Sequence, residues 1–436
     1  MKINDDLFIL KNEENYILYL PLKSTSAVVN SDTIKLLNAI DKGENVDPNN
    51  EIVQKLKEIG VFESSVYPFK DTLYKPTDVT FLPSFICNLE CIYCYSNGGD
   101  FVTNKISINT AIIAIEFIIK NALELTKKHI SIGFHGGGEP LLYANKHFIE
   151  KVIEFTKQKA SKAGLNCQFS AVTNGVDIER FNIAWLKTNF SRISISLDGP
   201  PDIQNYQRPK RGHNKDSYTH TLNTINLFEQ NNISYGIRAT ITKYSVNRMD
   251  EIVEHFCKIS KQNNFHLEPL FECGRCKTSK IEAPSEEEFI ANYSKAEKVA
   301  KKNGVKITYS GIGINTISDK FCGAAGDNFF ITPDSFVTTC LEACRLDDND
   351  NAPFFIGKYD EINAKFQFDQ SKIDFLKSRR VTGMKSCDNC FCKFSCSGDC
   401  LAKVLKSTGD MFDTSNNKRC KITTALTEEI IKDSIC

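Results

Sequence analysis

Between residues 79 and 315 the sequence alternates six times between a short β-prone run and a stretch with helical spacing. VTFLPSFI precedes a helix over 107–125, HISIGFHG one over 147–160, and CQFSAVTN one near 183. RISISLD precedes a helix over 218–230, YGIRATIT one over 249–262, and FHLEPLFE one over 286–303. Each helix returns the chain to the same end of a sheet, so six such units predict an α/β fold: a parallel sheet wound as a partial (β/α)6 barrel. Ligands of such sheets gather beyond the C-terminal ends of the strands, so functional loops are expected to follow successive strands.

The second constraint is cysteine. The chain holds 17 in 436 residues, an odd number bunched at 87–94 and 322–420. Disulfide frameworks do not require such bunching, and the opening residues MKINDDLFIL lack the basic and apolar regions of a secretion signal. A cytoplasmic protein with metal-bound thiolates is expected, while isolated Cys167 and Cys257 read as small buried hydrophobes or idle thiols. Lys+Arg and Asp+Glu balance at 54 each, which gives no excess charge for nucleic acid or an anionic membrane. No apolar run is long enough for a membrane span.

The first bunch is Cys87-Asn-Leu-Glu-Cys91-Ile-Tyr-Cys94. Three thiolates so close in sequence can hold three irons of a [4Fe–4S] cubane and leave the fourth iron open. Zinc sites favour CxxC pairs and fit this spacing poorly. The loop follows the first predicted barrel strand. Gly136-Gly137-Gly138-Glu139-Pro140 follows the second, Thr173-Asn174-Gly175 ends the third, and Ser196-Leu197-Asp198-Gly199 ends the fourth.

CxxxCxxC with an aromatic residue, Tyr93, before the third cysteine resembles the signature of the radical S-adenosylmethionine (SAM) superfamily. The resemblance implies that Cys87, Cys91 and Cys94 hold a SAM-cleaving cluster, from which a 5′-deoxyadenosyl radical arises to take a hydrogen atom from the substrate. It further implies that Gly137, Gly138 and Glu139 belong to the loop that receives the SAM amino group. Asn174, Ser196 and Arg238 are the implied polar contacts to the SAM ribose and carboxylate. Arg208, in NYQRPKRG, matches another position often held by arginine, and is equally read as a solvated surface residue.

The later cysteines, Cys322, Cys340, Cys387, Cys390, Cys396, Cys400 and Cys420, resemble the seven-cysteine SPASM pattern of radical SAM peptide and protein maturases. By that resemblance Cys387, Cys390, Cys396 and Cys420 hold an outer auxiliary cluster, and Cys322, Cys340 and Cys400 an inner one. With the SAM-binding cluster, that makes three [4Fe–4S] clusters. The inner cluster's fourth ligand stays open between Cys344 and the CxxC of Cys273 and Cys276. A zinc ribbon is the alternative for 387–400. Ser335 departs from the pattern, which has glycine there.

Residues 1–65 hold three short β-prone runs and then two helical ones, with Ser31 as N-cap and Gly43 and Gly60 as stops. This winged-helix-like α+β unit resembles the PqqD-like element of ribosomal peptide maturases, which binds a leader peptide as an added strand. A linker at 66–78, the barrel at 79–315 and a SPASM domain at 316–436 complete the expected organisation. The expected activity is that of a peptide maturase that installs a carbon–carbon cross-link, with streptide-type lysine–tryptophan cyclases named first. Thioether formation comes next, then sulfatase maturation, whose enzymes carry an aspartate where this chain has Leu341, with Glu342 beside it. An iron–sulfur or zinc protein that only binds peptide is the non-enzymatic reading. Expected partners are a precursor peptide with its leader and an electron donor such as flavodoxin or ferredoxin. Glu268, Glu272 and Asp198 stand near strand ends as candidate bases or as ordinary paired carboxylates.

Overall fold

The computed structural model describes residues 1–70, 72–100, 105–313, 316–346 and 349–434. Two compact units divide the chain. The smaller comprises 1–71, 311–321 and 380–436, and the larger 72–310 and 322–379. The expected barrel boundary at 315 lies outside the described residues, and residues 322–379 of the expected C-terminal domain belong to the larger unit.

In the smaller unit, β1 (Phe8–Asn12), β2 (Asn15–Leu20) and β3 (Thr25–Val29) form an antiparallel meander with β2 central. Helices Ser31–Asp41 and Glu51–Glu58 follow. Ser31 is the first residue of its helix rather than its cap. Asn30 takes that role because its side-chain oxygen reaches the Thr33 N–H at 3.0 Å. Asn50 caps the next helix in the same way.

Period-2 alternation gives the sheet two apolar faces. Leu18 and Leu20 pack with Leu37, Leu56 and Val61. On the other face Leu10, Ile17 and Tyr19 pack with Ile431 and Phe391 of the C-terminal segment. Each aliphatic side chain buried this way is worth roughly 1.5–3 kcal/mol over its exposed state.

In the larger unit the six expected strand–helix pairs are all present. Strands β4 (Asp78–Phe81), β5 (His129–Phe134), β6 (Asn166–Thr173), β7 (Arg192–Ser196), β8 (Tyr235–Ile241) and β9 (Asn264–Pro269) lie parallel in sequence order, and β10 (Lys306–Thr308) extends that edge. The sheet also grows past β4. There β11 (Phe330–Ile331) pairs parallel to β4, and β12 (Phe336–Thr338), β13 (Phe355–Asp360) and β14 (Lys365–Phe368) continue antiparallel.

One face of the parallel strands is closed by apolar side chains such as Ile130, Ile132, Phe134, Ile193, Ile195, Ile237, Phe265 and Leu267. The alternate residues, among them Ser170, Ser196, Arg238, His266 and Glu268, are half-buried or exposed. The inner face of the sheet is therefore polar and open. Among the described residues no helix is long and apolar enough to cross a membrane.

Candidate active site

The loop leaving β4 carries Cys87, Cys91 and Cys94, and backbone pairing on both sides fixes its path. Residues 88–92 run against 207–211: the Ile92 N–H donates to Gln207 at 3.0 Å, Glu90 to Pro209 at 2.9 Å, and Arg211 to Asn88 at 2.9 Å. On the other side the Gly138 N–H donates to Ser84 and the Glu139 N–H to Ile86, both at 2.9 Å. The approach at Gly138 is so close that a Cβ there would lie 2.0 Å from the Ile86 carbonyl oxygen, and Gly137 takes φ +72°. Only glycine meets both demands without moving the cysteine loop.

The three cysteines open onto one cavity of about 150 Å³, also lined by Tyr93, Ser96, His135, Gly136, Gly137, Gly138, Glu139, Thr173, Asn174, Ser196 and Arg208. Burial pushes the Cys91 thiol up to about 11 and the Cys87 thiol higher still. Held as thiols they are poor ligands, so a bound metal must supply the charge that ionises them. Donors to sulfur are already in place. The Leu89 N–H lies 3.5 Å from Cys87 Sγ, and the Gly98 N–H and Ser96 Oγ each lie 3.4 Å from Cys94 Sγ.

Arg208 enters the cavity wall at the end of the helix Pro201–Gln207. It donates to the Tyr93 hydroxyl at 2.7 Å, and Tyr93 donates to buried Asp198 at 2.6 Å. Asp198 also accepts from Gln207 at 2.8 Å and from the Thr240 N–H at 3.0 Å. That carboxylate is a structural hub, fully committed to protein donors. Arg208 Nε is buried with no hydrogen-bond partner among the described residues. A polar ligand in the cavity would satisfy it.

Glu139 is likewise committed. Its carboxylate accepts from the Leu141 and Asn174 N–H groups at 2.9 and 2.7 Å and from the Thr173 hydroxyl at 2.7 Å, tying the β5 loop to the β6 loop. Burial raises its pKa to about 7 against the pull of those donors. Asn174 donates to Asn88 at 2.7 Å and lies 4.0 Å from Cys87 Sγ. Ser196 lines the cavity, whereas Arg238 does not. His135 is a cavity residue that sequence reasoning passed over. It follows β5 immediately, and the rule that strand ends carry function could have found it. Burial, and then the charge of Arg238, hold its pKa down at about 4, so it is neutral at pH 7.

Of the later cysteines, Cys340 and Cys344 are buried in the larger unit, and both act electrostatically on Tyr95, which follows Cys94. Cys344 packs with Leu82, Phe85, Tyr95 and Leu341. Cys322 belongs to the same unit and Cys400 to the smaller one. Cys276 packs with Ile92 and Tyr93 of the first cysteine loop, while the Arg275 N–H and guanidinium bond the carbonyls of Cys94 and Cys91 at 2.9 and 2.6 Å.

The smaller unit gathers Cys387, Cys390, Cys396 and Cys420. Burial pushes Cys420 up to about 12, with Asp399, Cys387 and Cys390 adding to it, and Cys396 is raised by burial and then by Asp399, Cys420 and Cys390. Beneath them Asp399 takes Arg419 Nε at 2.9 Å, Arg419 Nη2 at 3.3 Å and the Asn417 amide at 2.8 Å.

Comparison with known proteins places this geometry. Residues 81–256 match the model of the Radical SAM superfamily. The chain carries a radical SAM domain. A cysteine-type anaerobic sulfatase-maturating enzyme of Clostridium perfringens (strain 13 / Type A) is 25% identical over 335 residues, 72% of this chain and 85% of that protein. The radical SAM cyclopropyl synthase TigE of Paramaledivibacter caminithermalis is 22% identical over 351 residues, 74% of this chain and 68% of that protein. Other relatives are matched over only about half of their own length. SuiB of Streptococcus suis superposes with a TM-score of 0.54 at 14% identity, over 96% of this chain and 99% of that one, which is a likeness of fold.

Residues 81–256 thus form a radical SAM domain, a family that brings SAM and a four-iron cluster. The cavity suits them: three cysteines, donors to two of the sulfurs, a glycine wall and an unsatisfied guanidinium nitrogen face one space.

Proposed function

We propose that this radical SAM enzyme modifies a ribosomally made precursor peptide, installing an intramolecular carbon–carbon cross-link of the lysine–tryptophan type. The three-cysteine cavity at the C-terminal ends of the barrel strands carries the reading. When bound there, the cluster and SAM supply the 5′-deoxyadenosyl radical. Cys87, Cys91 and Cys94 are the cluster ligands. Gly137 and Gly138 leave room for the methionyl group, Asn174 and Ser196 offer it polar contacts, and Glu139 holds the loops that carry them. Arg208 and Tyr93 stiffen the cysteine loop through Asp198.

Cross-linking removes two hydrogens: one ends on 5′-deoxyadenosine, and the other leaves as a proton and an electron. Two auxiliary iron–sulfur clusters are the proposed electron acceptors. Cys387, Cys390, Cys396 and Cys420 hold the outer one, and Cys322, Cys340, Cys344 and Cys400 the inner one. An electron donor of the flavodoxin or ferredoxin class completes the cycle.

Residues 1–65 act as a PqqD-like leader-binding domain, joined by the linker 66–78 to the barrel at 79–315 and the SPASM domain at 316–436. The β3 edge has no partner strand among the described residues, which suits an added peptide strand. Successive N–H groups of an edge strand alternate in direction, so Ser26→Pro or Ala27→Pro removes an outward donor. One of the two variants should weaken leader binding.

The sulfatase-maturating relative favours a second reading, protein maturation at a single residue. Against it, Leu341 stands where those maturases carry an aspartate, and its side chain, beside Gly136, cannot accept a proton, although the carboxylate of Glu342 next to it acts electrostatically on Tyr95. The deciding experiment is anaerobic reaction with a short peptide encoded beside the gene, followed by mass spectrometry. Loss of two hydrogens, localised between two side chains, supports the cross-link. A change confined to one Ser or Cys supports the maturase reading, and a bond to cysteine sulfur supports thioether formation.

A further inference from the structure

Four polar residues share one register row on the open inner face of the sheet. Ser196 on β7 is opposite Arg238 on β8, Arg238 is opposite His266 on β9, and His266 is opposite Thr308 on β10. Their neighbours along the strands, Ile237 and Ala239, then Phe265 and Leu267, are buried on the far face, so the row looks into the open interior.

The β9–β10 half of the row has polar neighbours within the protein, although His266 Nε2 is buried without a hydrogen-bond partner among the described residues. His266 Nδ1 is 3.3 Å from Thr308 Oγ1, and His266 Nε2 is 3.3 Å from a Glu268 carboxylate oxygen. That carboxylate also takes the Ser310 hydroxyl at 2.8 Å and its N–H at 3.3 Å.

Arg238 differs. Its guanidinium makes no hydrogen bond or ion pair to any described residue, although Glu268 lies on the next strand, opposite Thr240. Its charge still reaches His135 at the cavity wall. Five fixed donors, unpaired beside a radical-generating cavity, match the two oxygens of a carboxylate. A small cofactor seated among the cysteines meets Arg208, which lines their cavity, and Arg238 does not line it.

We infer that Arg238 binds a carboxylate of the peptide substrate, an Asp or Glu side chain close to the residue that is modified. This rests on the peptide-maturase reading and adds a substrate requirement to it: an acidic residue at a fixed distance from the reacting one. His266 and Glu268 bound the subsite, and the committed Glu268 repels a second acid.

The test uses cluster-loaded enzyme and the precursor peptide encoded beside the gene, together with peptides in which each Asp or Glu is changed singly to its amide. Arg238→Gln should lower kcat/KM for the unchanged peptide roughly 10- to 100-fold, and Arg238→Lys by less. One amide peptide should show the same fall with the natural enzyme and no further fall with Arg238→Gln. Arg238 makes no hydrogen bond or ion pair among the described residues, so the variants should fold, and matched iron content and far-ultraviolet dichroism check this. SAM affinity measured without peptide separates the two sources of a carboxylate: an equal fall there assigns Arg238 to the cofactor and overturns the inference. Independent, additive effects at every acidic position overturn it too, as does an unaffected Arg238→Gln. If the natural enzyme forms 5′-deoxyadenosine but alters no peptide, the maturase reading fails and this inference falls with it.

Discussion

The two main cysteine sets solve different problems with the same side chain. Cys87, Cys91 and Cys94 are three, they share a cavity, and glycines on the facing loop keep that cavity open. Cys387, Cys390, Cys396 and Cys420 are four, a full complement for a cubane, and a buried ion pair between Asp399 and Arg419 braces the loops that carry them. Under the proposed function the first set leaves a ligand position free and the second closes one. The first set then relies on backbone freedom for access, and the second on polar contacts for rigidity.

Three experiments bear on that contrast in order of expected size. Changing Cys87, Cys91 and Cys94 together to Ala should abolish SAM cleavage and remove about four of roughly twelve irons, leaving the rest bound. Loss of all iron would mean that the sets do not load independently. Asp399→Asn leaves Arg419 buried against a neutral partner, which should cost about 3–5 kcal/mol. The expected result is a lower melting temperature and loss of the second set's iron while SAM cleavage without peptide persists. If cleavage disappears as well, the braced set also supports the open one.

The smallest effect concerns protons. His135 is held neutral in the folded protein, to about 4, whereas an unfolded histidine takes its proton near 6.5. Its contribution is therefore present above pH 6.5 and is lost as pH falls toward 4, by at most about 3 kcal/mol. His135→Gln should flatten the melting-temperature profile in that window, and an unchanged slope would place the acid sensitivity elsewhere. A fourth change probes the inner set. Cys344→Ala should lower auxiliary iron or alter its paramagnetic spectrum and stop product formation while SAM cleavage continues. Full loading with normal turnover would move the fourth ligand to another residue and reopen thioether chemistry.

The barrel was legible because its information is local: apolar alternation followed by helical spacing repeats six times, and all six pairs stand where the sequence places them. The extension β11–β14 was not. Its strands are two to six residues long, and β11 is specified by pairing with β4, some 250 positions earlier. The cysteine loop and the glycine run after β5 were readable from chemistry alone. Arg208 was left undecided because its place in the cavity depends on the pairing of 207–211 with 88–92, a long-range match that leaves no periodic trace. Asp198 reads from the sequence as a base or as an ordinary paired carboxylate. In the fold it is paired with Tyr93, Gln207 and Thr240, partners scattered over more than a hundred residues.

The N-terminal sheet, lastly, has an order of assembly written into it. Leu18 and Leu20 find Leu37 and Leu56 within forty residues, so that face can close soon after it leaves the ribosome. Leu10, Ile17 and Tyr19 must wait for Phe391 and Ile431, which follow hundreds of residues later. Until those residues are made, this face is an unprotected apolar strip that a chaperone would guard. Because Phe391 lies between Cys390 and Cys396, the proposed outer cluster and the closure of this sheet face would be coupled. If the proposed outer cluster forms, chains made without iron would keep this face open.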